Sequence, residues 1–285
     1  MAINIYQKVT DRIIAELEKG NLSWEKPWTG TSDRAFNRIS KKPYSLLNQL
    51  LLSHRKSSEF ATMSQWNSLG GKIKKGAKAD FVVFWKIQTK EERQEDGTIK
   101  EISVPILRYY NVFSIEDVEG VEPLQKEALK EFEPIEEAER ILNDYWTREH
   151  ITVEHVKGDE AYYSPHRDLI RLPLKEQFTD VNLYYGVATH ESIHSTLLQS
   201  RCNREQERKN KLVSFGSEDY SKEELVGELG SAMLLNLLGI ETKKTVKQNA
   251  SYIKSWIQVL KNDNRFIISA STKAEKAVNY ILATE

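Results

Sequence analysis

Val187-Ala188-Thr189-His190-Glu191-Ser192-Ile193-His194-Ser195 carries a His-Glu-x-x-His run, and the reading of the second half of the chain starts there. Histidines at i and i+4 of a helix project from one face, so His190 and His194 can reach one metal ion while Glu191 faces a water bound at it. That pattern is the arrangement of a zinc peptidase. No proline interrupts residues 181–199, and Leu183, Val187, Ile193, Leu197 and Leu198 provide apolar side chains for a buried helix.

Catalytic zinc keeps three protein ligands and an open position, so a third donor is required downstream. No histidine follows His194, and Leu197 and Ser200 occupy the places where a metzincin has Gly and His, which leaves a carboxylate. Ser221-Lys222-Glu223-Glu224-Leu225-Val226-Gly227-Glu228-Leu229-Gly230-Ser231 reads as the start of a second helix with Glu224 and Glu228 on one face. Glu224 is the expected ligand and Glu228 the acceptor that orients a metal-bound imidazole. The alternative for Glu224 is a capping box with Ser221 at the N-cap. Glu228 stays open as the third ligand.

The 285 residues suffice for two domains. There is no apolar run of membrane-spanning length and no secretory-type apolar core, so a cytoplasmic protein without membrane contact is expected. The single Cys202 excludes an intramolecular disulfide and reads as a partly exposed structural thiol. A net charge of −1 conceals an asymmetry: residues 1–90 hold 16 Lys and Arg against 7 Asp and Glu. A polyanion is therefore the expected partner of the first third. Lys72, Lys74, Lys75 and Lys78 surround a Gly76 turn before Phe81-Val82-Val83-Phe84-Trp85, a β-type run. Lysines beside exposed rings suit single-stranded DNA, and Lys41, Lys42, Tyr44 and Trp85 complete the candidate contacts. Trp24 and Trp28 flank Pro27 in a loop that packing must hold.

Helices are expected over residues 5–17, 63–69 and 135–146, with 46–52 a helix or a strand. Residues 89–103, with Asp96-Gly97 as a turn signal, read as a hairpin tip or a mobile insertion, and 107–112 as the returning strand. Residues 151–156 and the Tyr162 to Pro173 hairpin read as strands. The strand just before the metal helix is the expected edge for an extended peptide. Tyr162 or Tyr163 is the candidate donor to a tetrahedral oxyanion.

These residues resemble the ArdC-type antirestriction proteins of mobile elements. The markers are Val9-Thr10-Asp11-Arg12-Ile13-Ile14, Trp24 with Trp28, Pro43-Tyr44 with Asn48, Gly70-Gly71 with Lys74-Lys75-Gly76, and Tyr110-Asn111-Val112-Phe113. In the second half they are Tyr162-Tyr163-Ser164-Pro165, His190 to His194, Phe215-Gly216-Ser217-Glu218, Glu223 to Gly230, and Ser255-Trp256. Two positions depart from the family: Ser195, where an aromatic is frequent, and Gly227, where alanine is frequent.

The resemblance implies an α+β protein that joins a small N-terminal single-stranded-DNA-binding domain to a mainly helical zincin-like metallopeptidase domain with a short antiparallel sheet; the Glu-, Lys- and Pro-rich composition after residue 119 places a linker at 123–134, between domains 1–122 and 135–285. The resemblance also implies protection of incoming DNA from restriction. The expected function is a DNA-binding zinc peptidase, with another divalent metal as an alternative and a protein target that the sequence does not identify. The competing expectation is a non-catalytic DNA-binding protein that protects by occupancy. A fragment ending near Gly120 is expected to fold alone.

Overall fold

In the computed structural model, residues 4–19, 34–93, 99–124, 134–204, 218–240 and 250–284 are described. Trp24, Trp28, the Asp96-Gly97 turn, most of the expected linker and Phe215-Gly216-Ser217 lie outside them.

Val9, Ile13, Ile14 and Leu17 recur at helical spacing and are buried along α1 (Ile5–Glu18), which Asn4 caps at its first turn. Strand β1 (Phe36–Asn37) leads to α2 (Leu46–Leu52), so the apolar run at 46–52 is a helix. It is buried on every side, as a helix apolar all round must be. After β2 (Glu59–Ala61), α3 (Met63–Ser68) starts with a Thr62/Gln65 capping box, and Trp66 donates its indole N–H to the Phe113 carbonyl at 3.0 Å. The chain turns through Gly70, whose φ of +82° is ready only for glycine, into β3 (Lys72–Ile73).

β4 (Asp80–Arg93) and β5 (Ile99–Ser114) pair antiparallel along their whole length as a two-stranded ribbon. At its root β5 also pairs with β2, giving the order β1-β2-β5-β4. Asn48 of α2, fully buried, clamps the ribbon: its amide N–H donates to the Val83 carbonyl at 2.9 Å and its oxygen accepts the Val83 N–H at 2.8 Å. β6 (Val118–Glu119) pairs with β3.

The second half opens with α4 (Pro134–Arg148), then β7 (Thr152–Val156), β8 (Tyr162–Ser164) and β9 (Leu169–Pro173). This sheet has the order β7-β9-β8, with β7 parallel and β8 antiparallel to β9. It is therefore mixed, not the antiparallel sheet expected, and β9, which precedes the His-Glu-x-x-His helix, is its centre. The edge nearest that helix is β8, because the hairpin folds back outside the β7–β9 pair. Strand order is a long-range property that local patterning does not carry.

Helices α5 (Val181–Ser195), α6 (Glu218–Leu237), α7 (Ala250–Asn262) and α8 (Phe266–Leu282) complete the chain. One hydrophobic cluster joins Val9, Ile13, Leu46 and Leu50 of the first half to Leu229, Trp256, Ile267 and Ala274 of the second. The two halves thus share apolar surface across α1, α2, α7 and α8, so a fragment cut near Gly120 would uncover it. Among the described residues no helix is long and apolar enough to cross a membrane.

Candidate metal centre

Helix α5 begins at Asp180, whose side chain accepts the Asn182 N–H at 2.9 Å. Its rear is pinned by α4: the Trp146 indole donates to Ser192 Oγ at 2.9 Å, and the Tyr145 hydroxyl lies 2.8 Å from Ser195 Oγ. Ser195 is fully buried, so the family's frequent aromatic is replaced on the side away from the site, against α4. Helices α5 and α6 approach closely through small residues, with Thr189 Oγ1 2.6 Å from Ser231 Oγ. A Cβ on Gly230 would fall 2.8 to 3.0 Å from three side-chain carbons of Ile193, and one on Gly227 would fall 2.8 Å from Cε1 and Nε2 of His194. Glycine at 227 therefore lets the imidazoles occupy the space beside α6.

This contact brings His190, His194 and Glu224 together, with one ligand atom from each lying within 4.8 Å of the others. His190 Nε2 lies 2.9 Å from His194 Nε2, and the Glu224 oxygens lie 3.5 Å from each. Ligands about 2.0–2.1 Å from one tetrahedral ion would be separated by about 3.3 Å, so the three donors fit a single divalent cation with small adjustments. Two imidazoles and a carboxylate, without thiolate, suit zinc, manganese and other first-row divalent ions.

Each donor is held from behind. Glu228 Oε1 lies 3.7 Å from His190 Nδ1, an ion-pair distance on the far side of the ring from Glu224. His194 Nδ1 donates instead to Glu223 Oε1 at 3.2 Å, which directs the Nε2 lone pair toward the other donors. Glu223 is in turn gripped by the buried Arg204, with Nη2 to Oε1 at 2.7 Å and Nε to Oε2 at 3.3 Å. The same guanidinium donates to Thr196 Oγ1 and the Ile193 carbonyl at the end of α5. No sequence signal marks Glu223 and Arg204 as a pair. Their separation of 19 residues has no local period, and the only hint was a glutamate adjoining the expected ligand.

The electrostatics follow from this crowding. Burial opposes charge on His190, but Glu224, Glu228 and Glu191 outweigh it and push its pKa up to about 10. Burial likewise raises Glu223, yet Arg204 and His194 hold it well below the carboxylate range. Glu224 is lowered because its hydrogen bond to His190 and the two imidazoles overcome burial; Glu228, with burial and the Glu224 charge acting together, is raised.

The donors open into a cavity of about 370 Å³ lined by Glu191, Leu197, Tyr162, Tyr163, Tyr220 and Glu223 among others. The two hairpin tyrosines differ. Tyr163 donates its hydroxyl to Asp168 Oδ1 at 2.8 Å, and Asp168 also receives Arg201 at 2.6 and 2.8 Å. That hydroxyl is committed to the hairpin and is not turned to an oxyanion, whereas Tyr162 stands on β8, an edge strand among the described residues, 36% exposed, with Arg171 against its ring. Tyr220 of α6, which the sequence reading did not select, hydrogen-bonds Glu224 from the cavity wall. Helix α6 starts at Glu218, so Ser221 lies inside its first turns and bonds Ser255 Oγ at 2.6 Å. Glu224 is accordingly not the partner in a capping box. Cys202 is buried rather than partly exposed, and burial raises its thiol pKa.

Of the residues expected to meet DNA, Lys41, Lys42, Lys72, Lys74, Lys75 and Lys78 are exposed, and Trp85 is 49% exposed. Lys74 Nζ donates to the Glu116 carbonyl at 2.7 Å. Tyr44 is only 4% exposed and packs under Phe84, so it serves the core instead of a base.

The comparisons with known proteins follow these two halves. Residues 3–113 match the family model for the N-terminal domain of anti-restriction factor ArdC, and residues 136–273 match that for a zincin-like metallopeptidase. Two DNA primases TraC from Escherichia coli are 31% and 30% identical over 98% of this chain, which spans 20% and 27% of their lengths. An uncharacterized Sinorhizobium fredii protein, y4eC, is 30% identical over 99% of the chain and 92% of its own length. The metal-free crystal structure of antirestriction protein ArdC from the R388 plasmid is 30% identical, covers 99% of this chain and 100% of that one, and superposes with a TM-score of 0.77. Its Mn(II)-bound form is 29% identical, with 99% and 98% coverage and a TM-score of 0.76. By both of its halves and over nearly its whole length, this chain belongs to the ArdC-type antirestriction family, with a zincin-like domain whose donor set suits a divalent metal.

Proposed function

We propose that the protein is a DNA-binding, zinc-dependent metallopeptidase in which His190, His194 and Glu224 hold the ion and Glu191 is the general base. The observation that carries this reading is the convergence of three donor atoms within 4.8 Å, with Glu191 in the same cavity wall. A divalent ion held there supplies Lewis acidity toward a carbonyl oxygen and acidifies a bound water to a pKa of about 7. Glu191, 8% exposed, takes the water proton and returns it to the leaving amine as the peptide bond breaks. Glu223 and Glu228 keep the two imidazoles turned to the ion. Tyr162 and Tyr220 flank the space for the substrate, and β8, an edge strand among the described residues, takes an extended segment of the protein target by β-augmentation. The first half binds single-stranded DNA, a reading supported by its excess of Lys and Arg and by relatives named for antirestriction and for priming DNA.

Glu191→Gln is the test. Peptide cleavage by the metal-loaded protein should fall by at least about 10²-fold, the scale of general acid–base catalysis, while metal content is retained. Cleavage unchanged by the substitution rejects Glu191 as the base. Protection of DNA that survives complete loss of cleavage separates the DNA function from the peptidase.

A further inference from the structure

Alternation along the β4–β5 ribbon sorts its side chains onto two faces. One face carries Phe84 and Lys86 of β4 with Arg108 and Tyr110 of β5; Phe84 is directly opposite Arg108, and Val82 opposite Tyr110. The Phe84 and Tyr110 rings contact each other at a centroid distance of 6.0 Å, yet each remains 45% exposed. The buried Tyr44 supports Phe84 from beneath at 6.1 Å. Lys86 and Arg108 are exposed beside the rings. Toward the root of this face Asp80 is already held by His54 at 2.8 Å and Arg55 at 2.7 Å, so its charge is compensated where a polyanion would pass. The opposite face is different. There α1 covers the root, Lys8 lies over Phe81 and Tyr109, and Trp85 leans on Tyr6 at 6.4 Å.

We infer that Phe84 and Tyr110 form the stacking platform for unpaired bases, with Arg108 and Lys86 on the adjoining phosphates. This inference deepens the single-stranded DNA reading proposed above and rests on it. Two half-exposed rings, tilted 64° to each other, offer separate surfaces on which successive unstacked bases can lie beside the flanking cations, and a duplex, whose bases are covered, cannot use them. Trp85, on the other face, lies outside this platform.

Fluorescence anisotropy of the full chain with a labelled oligo(dT) and with a duplex of mixed sequence tests it. Phe84→Leu, which keeps apolar bulk beside Tyr44, and Tyr110→Leu should each weaken oligo(dT) binding by roughly tenfold, and Phe84→Trp should preserve it. Ile87→Thr, on the opposite face, should leave affinity within about twofold, and Lys86→Gln should flatten the salt dependence of log K by about 0.7. Unchanged affinity of the Phe84→Leu/Tyr110→Leu double variant, from wild-type protein that binds oligo(dT), overturns the platform and leaves the DNA reading standing. Equal loss on the duplex overturns stacking as the mode. Wild-type protein that does not bind oligo(dT) overturns the DNA reading and the platform together.

Discussion

Gly230→Ala tests the contact that assembles the metal centre. Within a helix this change normally stabilises by about 0.5–1 kcal/mol, because glycine loses more backbone freedom on folding. Here the new methyl carbon would meet Ile193 Cδ1, Cγ1 and Cγ2 at 2.8, 2.9 and 3.0 Å, where ordinary contact begins at 3.4 Å. Ile193 is fully buried and β-branched, so its χ1 is fixed against its own helix and it cannot swing aside. Helices α5 and α6 must separate by about 0.5 Å, at an overpacking cost of roughly 1–3 kcal/mol. The net expectation is a loss of about 1 kcal/mol, with a fall of roughly 2–4 °C in Tm measured in chelator. Because Ile193 adjoins His194, Mn(II) affinity measured by calorimetry should fall as well. Ile193→Val, which removes Cδ1, should restore part of both in the double variant. A Tm that rises by the helix-propensity gain, with metal affinity unchanged, would refute the packing argument.

Glu223→Gln leaves the Arg204 guanidinium buried without its carboxylate and should cost about 3–5 kcal/mol in denaturant unfolding. Since Glu223 is held below its ordinary pKa, its contribution is present above the unfolded value near 4.5 and disappears as pH falls through the lower folded value. The wild type should therefore lose stability below about pH 4.5 more steeply than the variant. Asn48→Ala strands both the N–H and the carbonyl of Val83 and should cost about 2–3 kcal/mol by the same unfolding measurement. A fragment of residues 1–120 exposes Val9, Ile13, Leu46 and Leu50 where α7 and α8 covered them, and should bind a hydrophobic dye and unfold without a sharp transition.

The helix bearing His190 and His194 was legible because its period, its lack of proline and its metal spacing all lie within one segment. Glu224 was expected beside the two histidines by a counting rule, since a zinc site of that kind needs a third donor and histidines had run out, and the fold brings its carboxylate to them. The capping-box alternative fell because Ser-x-x-Glu marks a helix start only when nothing helical precedes it, and α6 already runs from Glu218. Tyr44 shows the limit for aromatics: it follows Lys41 and Lys42 yet lies buried beneath the ribbon, because Phe84, which packs over it, is distant in sequence. The Glu223–Arg204 pair and the central position of β9 depend on partners distant in sequence, which hydrophobic patterning does not report.

The central claim is that His190, His194 and Glu224 share one divalent ion. Metal content of purified, dialysed protein measured by mass spectrometry tests it most directly, comparing wild type with Glu224→Ala and Glu228→Ala. About one equivalent of metal should remain in the wild type, remain with weakened affinity in Glu228→Ala, and be lost in Glu224→Ala. Full retention in Glu224→Ala with loss in Glu228→Ala would contradict the ligand set.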